Sequence, residues 1–143
     1  MASKNVETYR GVHGAFNRRD FDAVVKEFAP SITYTDRARD LVIRTPQEFK
    51  DTFLTGWDQA FSDARVTEAQ YIDGGDTVIA LFVGRGKQDG PLGPFQASGK
   101  EMATPFCELL RFDGSGRVIG GEIYYDQVTM LTQLGHMPVP AQV

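Results

Sequence analysis

The chain is expected to fold as one α+β domain spanning residues 1–143. Three observations carry that expectation. Apolar residues recur at helical spacing in the first part of the chain and switch to strand alternation from Asp63 onward. Turn residues punctuate the second part, at Asp73-Gly74-Gly75-Asp76 and at Asp113-Gly114-Ser115-Gly116. Helices therefore come first and an antiparallel meander follows, the order of an α+β domain. No repeat, low-complexity stretch or linker divides the chain.

Val6, Tyr9, Val12, His13 and Phe16 share one helical face, giving a first helix that fades near Asn17. Asp20 is placed to cap a second helix, with Phe21, Val24, Val25 and Phe28 on one face and Pro30 closing it. Ile32 to Thr35 read as a short strand. Thr45-Pro46-Gln47-Glu48 combines a capping-box pair with proline at the first helical position. Phe49, Phe53, Trp57 and Phe61 then repeat every fourth residue, as core filling or as a wall for a flat ligand.

Val66 to Ile72 and Thr77 to Val83 read as paired strands. The second is apolar at nearly every position, so both its faces should be covered. Helices shield one side of such a sheet. A second copy of the chain, docked on the convex face, is the expected cover for the other, giving a homodimer. Lys87 to Phe95 hold two glycines and two prolines and are expected to form a loop, a candidate lid at a pocket mouth. A long strand ends at Phe112, Arg117 to Tyr125 return, and Asp126 caps a last helix from Gln127 to Leu134.

A net charge of −4, with no basic run longer than Arg18-Arg19, argues against a nucleic-acid partner. No segment is long and apolar enough for a membrane span, and the first residues lack a signal-peptide core, so the cytoplasm is the expected compartment. Cys107 is the only cysteine and reads as an inert strand thiol. His13 and His136 are the only histidines, without metal-binding spacing, and no phosphate-binding glycine motif is present. Neither metal nor cofactor is expected.

The most informative residue is Glu108. Strand alternation places it on one face with Phe106, Leu110 and Phe112. Such a carboxylate must be paired, wetted or protonated, which suggests a pocket for a small apolar molecule. A hairpin turning at residues 113–116 sets Glu108 opposite Gly121, where the missing side chain would leave room for substrate. Burial by Phe106, Leu110 and Ile123 is expected to raise the carboxyl's pKa and suit it to proton transfer.

Phe16-Asn17 through Asp20, Phe49 to Trp57, Gly84, Gly90-Pro91-Leu92, Asp113-Gly114 and Tyr124-Tyr125-Asp126-Gln127 leading to Gln133-Leu134-Gly135 carry a resemblance. The chain resembles the SnoaL-like polyketide cyclases of the nuclear transport factor 2-like superfamily. The resemblance implies a cone of three N-terminal helices on a curved mixed or antiparallel sheet, a short C-terminal helix, a deep apolar pocket and often a dimer. It also implies ring closure in polyketide intermediates, through an aspartate on the last strand and a histidine on the strand before. Here those positions hold Ile123 and Glu108.

The candidate catalytic residues are thus Glu108, Asp36, His13 and Tyr125, with Tyr9, Phe16, Phe53, Trp57, Phe106, Gly121 and Ile123 as substrate contacts. Asp36 resembles in place the base of ketosteroid isomerases, which share the fold, but Val12 stands where their tyrosine would be. Its neighbours Arg37, Arg39 and Asp40 equally suit a solvated loop acid. Ring closure by an acid–base route, or by holding a flexible chain in reactive shape, leads the readings. An isomerase or hydrolase using Asp36, or a binder without chemistry, is the alternative.

Overall fold

The computed structural model describes residues 3–139 and 141. Helix α1 (Lys4–Asn17) starts at Ser3, whose hydroxyl caps Val6 N–H, and buries Val6, Tyr9, Val12, His13 and Ala15. Asp20 caps the single turn α2 (Phe21–Val24) through Ala23 N–H. This helix is shorter than its apolar spacing suggested. Phe28 and Pro30 belong instead to strand β1 (Phe28–Asp36), whose register slips between Phe28 and Thr33. Proline has no N–H to give a ladder, and an irregular stretch tolerates it.

Strand β2 (Leu41–Ile43) was not expected; it pairs antiparallel with β1. Next comes α3 (Pro46–Glu48), where Thr45 Oγ1 accepts from Glu48 N–H. Glu48 returns its side chain to Arg44 N–H. The helix then widens into a π segment (Phe49–Leu54) before α4 (Thr55–Ala60). The widened turn buries Phe49, Phe53 and Leu54 together, a placement a regular helix would spread around its axis.

Strands β3 (Arg65–Asp73), β4 (Thr77–Lys87), β5 (Glu101–Phe112) and β6 (Val118–Tyr125) complete a six-stranded sheet in the order β2-β1-β6-β5-β4-β3. All neighbours are antiparallel except β1 and β6, which run parallel. Helix α5 (Gln127–Gln133) closes the chain, capped by Asp126 through Thr129 N–H.

One row of this sheet reads Asp36, Ile123, Glu108, Ala80 and Tyr71 across five strands. The small side chain of Ala80 leaves space beside Glu108 for α1 to approach. The expected pairing of Glu108 with Gly121 is incorrect. Phe112 pairs with Val118 instead of Arg117, and a further slip between Arg111 and Phe112 moves Gly121 opposite Leu110. Gly121 serves close packing: a Cβ there would lie 2.1 Å from Leu109 O.

Strand β4 alternates between buried and partly exposed positions, so its two faces differ. Its outward side, shared with neighbouring strands, shows Ile79, Leu81 and Val83 beside Cys107, Leu109 and Tyr124. The loop after β4 folds upon itself. Gln88, fully buried, donates through Nε2 to the carbonyls of Gly90, Phe95 and Gln96, and its Oε1 meets His136 Nε2 at 2.7 Å. None of residues 87–95 lines the cavity described below, so the expected lid is not one.

Candidate functional site

The concave face of the sheet and the helices enclose a narrow cavity, about 80 Å³ of clear space within about 590 Å³ of empty volume that includes its mouth. Phe16, Phe49, Phe53, Trp57, Phe82 and Phe106 supply the aromatic wall. Ile123 and Met102 add aliphatic surface, and Arg65 stands exposed at the rim. Glu108 lines this cavity too and is 6% exposed. It is the only carboxylate among the lining residues.

Three donors converge on that carboxylate. Tyr9 O–H reaches Oε1 at 2.7 Å, and His13 Nε2 lies 3.1 Å from the same oxygen. Tyr34 O–H donates to Oε2. On its other side His13 Nδ1 meets Tyr71 O–H at 2.7 Å. The imidazole thus spans the two groups, Nε2 toward the carboxylate and Nδ1 toward the Tyr71 hydroxyl. Oε1 therefore accepts two bonds and Oε2 one.

This arrangement overturns the expected pKa. Burial is the largest influence and does push the Glu108 carboxyl up. The hydrogen bond and positive potential of His13, with the bonds from Tyr34 and Tyr9, outweigh it and hold the group below its ordinary value. The donors shift the opposite way: burial, then the charge of Glu108, raises Tyr9 and Tyr34 well above the usual phenol range. Tyr71 is pushed up to about 12, mainly by burial. Glu108 is thus an ionised acceptor rather than a poised acid.

Asp36 is buried, contrary to a solvated loop acid, yet it does not line the cavity. Its carboxylate takes Arg39 Nε at 2.8 Å, Tyr125 O–H at 3.0 Å, and the backbone N–H groups of Ala38 and Arg39. Arg39 lies over the Trp57 ring, and the Tyr125 ring packs against Trp57 and Phe106. Asp36 and Tyr125 therefore brace the back of the aromatic wall.

Of the sequence-based candidates, His13, Phe16, Phe53, Trp57, Phe106, Glu108 and Ile123 come together around the cavity. Tyr9 is wholly buried behind it as a donor to Glu108, and Gly121, Asp36 and Tyr125 lie outside the lining. Tyr34 and Tyr71 were missed. Tyr34 lies within the expected strand Ile32 to Thr35, and its polar tip was the available signal for a buried partner. Among the described residues no group of three or more His, Cys, Asp or Glu gathers to hold a metal. Among the described residues no helix is long and apolar enough to cross a membrane.

A sequence model of the SnoaL-like polyketide cyclase family matches residues 6–134. The chain belongs to the SnoaL-like polyketide cyclase family. No curated protein matches its sequence. Among solved structures, a Jannaschia sp. CCS1 protein provisionally named a SnoaL-like polyketide cyclase superposes with TM-score 0.84 at 20% identity, over 96% of this chain and 99% of that one. AclR of Streptomyces galilaeus, provisionally named a hydroxylase, gives 0.81 at 20% identity over 97% and 85%. An NTF2-like protein of Burkholderia thailandensis gives 0.79 at 19% over 94% and 98%. These likenesses establish the NTF2-like fold. A family member's reaction rests on its own site, since one fold hosts many chemistries.

Proposed function

We propose that this family member closes a ring in an apolar, polyketide-like molecule by enclosing it, with Glu108 as anchor rather than proton acceptor. The observation that carries the reading is the single carboxylate in an aromatic cavity, already held by three donors. A base works best with a pKa near the operating pH, and the donors move Glu108 away from that range. What Glu108 offers instead is a carboxylate edge in the cavity lining, suited to accept from a substrate O–H or N–H. Aromatic walls then hold the flexible chain in reactive shape, where proximity supplies the acceleration. An isomerase using Asp36 is not favoured, because Arg39 and Tyr125 occupy that carboxylate.

The test is turnover of linear poly-β-ketone thioesters, followed by mass spectrometry of ring-closed products, in the native chain and Glu108→Gln. Anchoring predicts that KM rises about tenfold while kcat changes little. Loss of kcat at unchanged KM would return Glu108 to proton transfer. Binding without product would favour a carrier.

We infer also that the outward sheet face pairs with a second copy. Leu81 and Tyr124, in one row with Cys107, are 38% and 44% exposed. Beside them Glu122 accepts from Arg111 at 3.1 Å and faces Arg37 at 3.4 Å, giving this rim both signs of charge. An isologous contact needs such self-complementarity.

A further inference from the structure

We infer that Gly84 sets how large a ring the cavity can take, by giving the Phe106 side chain room to lie back against the sheet. The inference rests on the reading of the cavity as the enclosure for an apolar substrate, and it names what limits the size of that substrate.

Gly84 lies inside strand β4, pairs with Val66 of β3 and Thr104 of β5, and lines the cavity. A glycine inside a strand costs backbone entropy and often marks a place where another group comes close. Its φ lies outside the left-handed region, so the backbone conformation itself suits any residue. What glycine supplies at this position is space. A Cβ on residue 84 would stand 2.5 Å from Phe106 Cε2, 3.0 Å from Cδ2 and 3.4 Å from Cζ. The Phe106 ring therefore rests on the bare backbone of β4, in a seat that an alanine methyl would occupy.

The ring has one direction left if that seat is taken. Across the sheet it is flanked by its two strand partners, Phe82 on β4 and Tyr125 on β6. Phe82 stacks on it with centroids 5.2 Å apart and planes 5° apart, and the Tyr125 ring packs at 4.8 Å. The sheet backbone lies beneath. Above the sheet stands Trp57, nearly perpendicular to Phe106 at 5.8 Å, and both rings line the cavity. A ring lifted off Gly84 thus moves into the cavity. Clear space there is about 80 Å³, so a raised phenyl group would take most of what a substrate could use. The same narrowness restricts the native cavity to a molecule one ring wide.

Trp57, the only tryptophan, gives a single indole N–H signal from the cavity wall, and its chemical shift follows occupancy. The probes are benzyl alcohol and 2-naphthalenemethanol, one ring and two fused rings on the same hydroxymethyl arm. The second ring adds apolar surface and tightens binding wherever it fits. The native chain is expected to bind benzyl alcohol and to show no gain for the naphthyl probe. Gly84→Ala should weaken benzyl alcohol at least about tenfold. Phe106→Val removes the ring atoms that a Cβ at residue 84 would meet, and should favour the naphthyl probe by about tenfold or more. Gly84→Ala combined with Phe106→Val should bind like Phe106→Val alone, since the added methyl then displaces nothing.

Benzyl alcohol binding to folded Gly84→Ala as tightly as to the native chain overturns the inference and leaves the apolar cavity standing. A double variant as impaired as Gly84→Ala also overturns it, because the glycine would then act without the Phe106 ring. If Gly84→Ala does not fold, Phe106→Val decides: an unchanged preference between the two probes overturns the inference. A native chain that binds neither probe overturns the enclosure reading, and this inference with it.

Discussion

Asp36 and Glu108 occupy the same row of the sheet, separated by Ile123 alone, and their charges are answered by different chemistry. Asp36 meets a guanidinium, a phenol and two backbone N–H groups. Glu108 meets two phenols and an imidazole. The first carboxylate is tied into the scaffold by an ion pair. The second faces the cavity with hydroxyl dipoles around it, and so projects its field where a ligand would lie.

Removing that second carboxylate should be expensive. In Glu108→Ala the hydroxyls of Tyr9 and Tyr34 and the His13 Nε2 lose their shared acceptor in a dry interior. The expected loss is about 3–5 kcal/mol, read from the urea midpoint of unfolding. A loss below about 1 kcal/mol would mean that the donors find other partners.

Stability should also fall in acid. The folded Glu108 carboxyl lies below its ordinary value of 4.5, so the unfolded chain takes up that proton first as pH drops. The contribution is complete above about pH 4.5 and drains away as pH passes down through the lowered folded value. Unfolding free energies between pH 7 and pH 3 should decline less steeply for Glu108→Gln than for the native chain. Parallel curves would contradict the assignment.

Asp36→Ala should disturb the aromatic wall without touching the cavity's carboxylate. Arg39 loses its ion pair and leaves the Trp57 ring, and Tyr125 O–H loses its acceptor. A cost of about 3 kcal/mol and a shift in Trp57 emission are expected. Asp36→Asn keeps an acceptor for the Ala38 and Arg39 N–H groups and should be milder.

Two glycines should respond in opposite ways to the same added methyl. Gly121→Ala drives a Cβ to 2.1 Å from Leu109 O, so β5 and β6 must part, at about 3 kcal/mol or more. Gly11→Ala in α1 meets nothing within 4 Å and should stabilise the helix by about 0.5–1 kcal/mol. Thermal melts of the pair check the contrast.

Leu81→Glu places a charge in the middle of the outward apolar row. Sedimentation should show the native chain as a dimer at micromolar concentration and this variant as a monomer. A monomeric native chain would refute the pairing.

Much of the architecture was legible because period and turn chemistry agree locally. Ser3 aside, the expected caps Asp20, Thr45 and Asp126 all function as caps. Strand β2 escaped notice because three residues, Leu41 to Ile43, are too few to show a period. Phe28 was misassigned because its spacing from Phe21 and Val24 also fits a helix face. The neighbour of Glu108 was missed for a different reason: register depends on where a bulge falls, and the slip after Arg111 leaves no mark in composition. The site's inward acid was readable from alternation along one strand. Its ionisation was not, since Tyr9, His13 and Tyr34 lie 99, 95 and 74 residues away in sequence.

The parallel seam between β1 and β6 has a consequence for the nascent chain. The strand that joins the early β1–β2 hairpin to the rest of the sheet is the last to leave the ribosome. A polypeptide halted before Val118 already carries both phenols, the imidazole and the carboxylate, yet lacks the slat that brings Tyr34 alongside Glu108. All six strands of the sheet must be made before the charge at the heart of the molecule finds its full company.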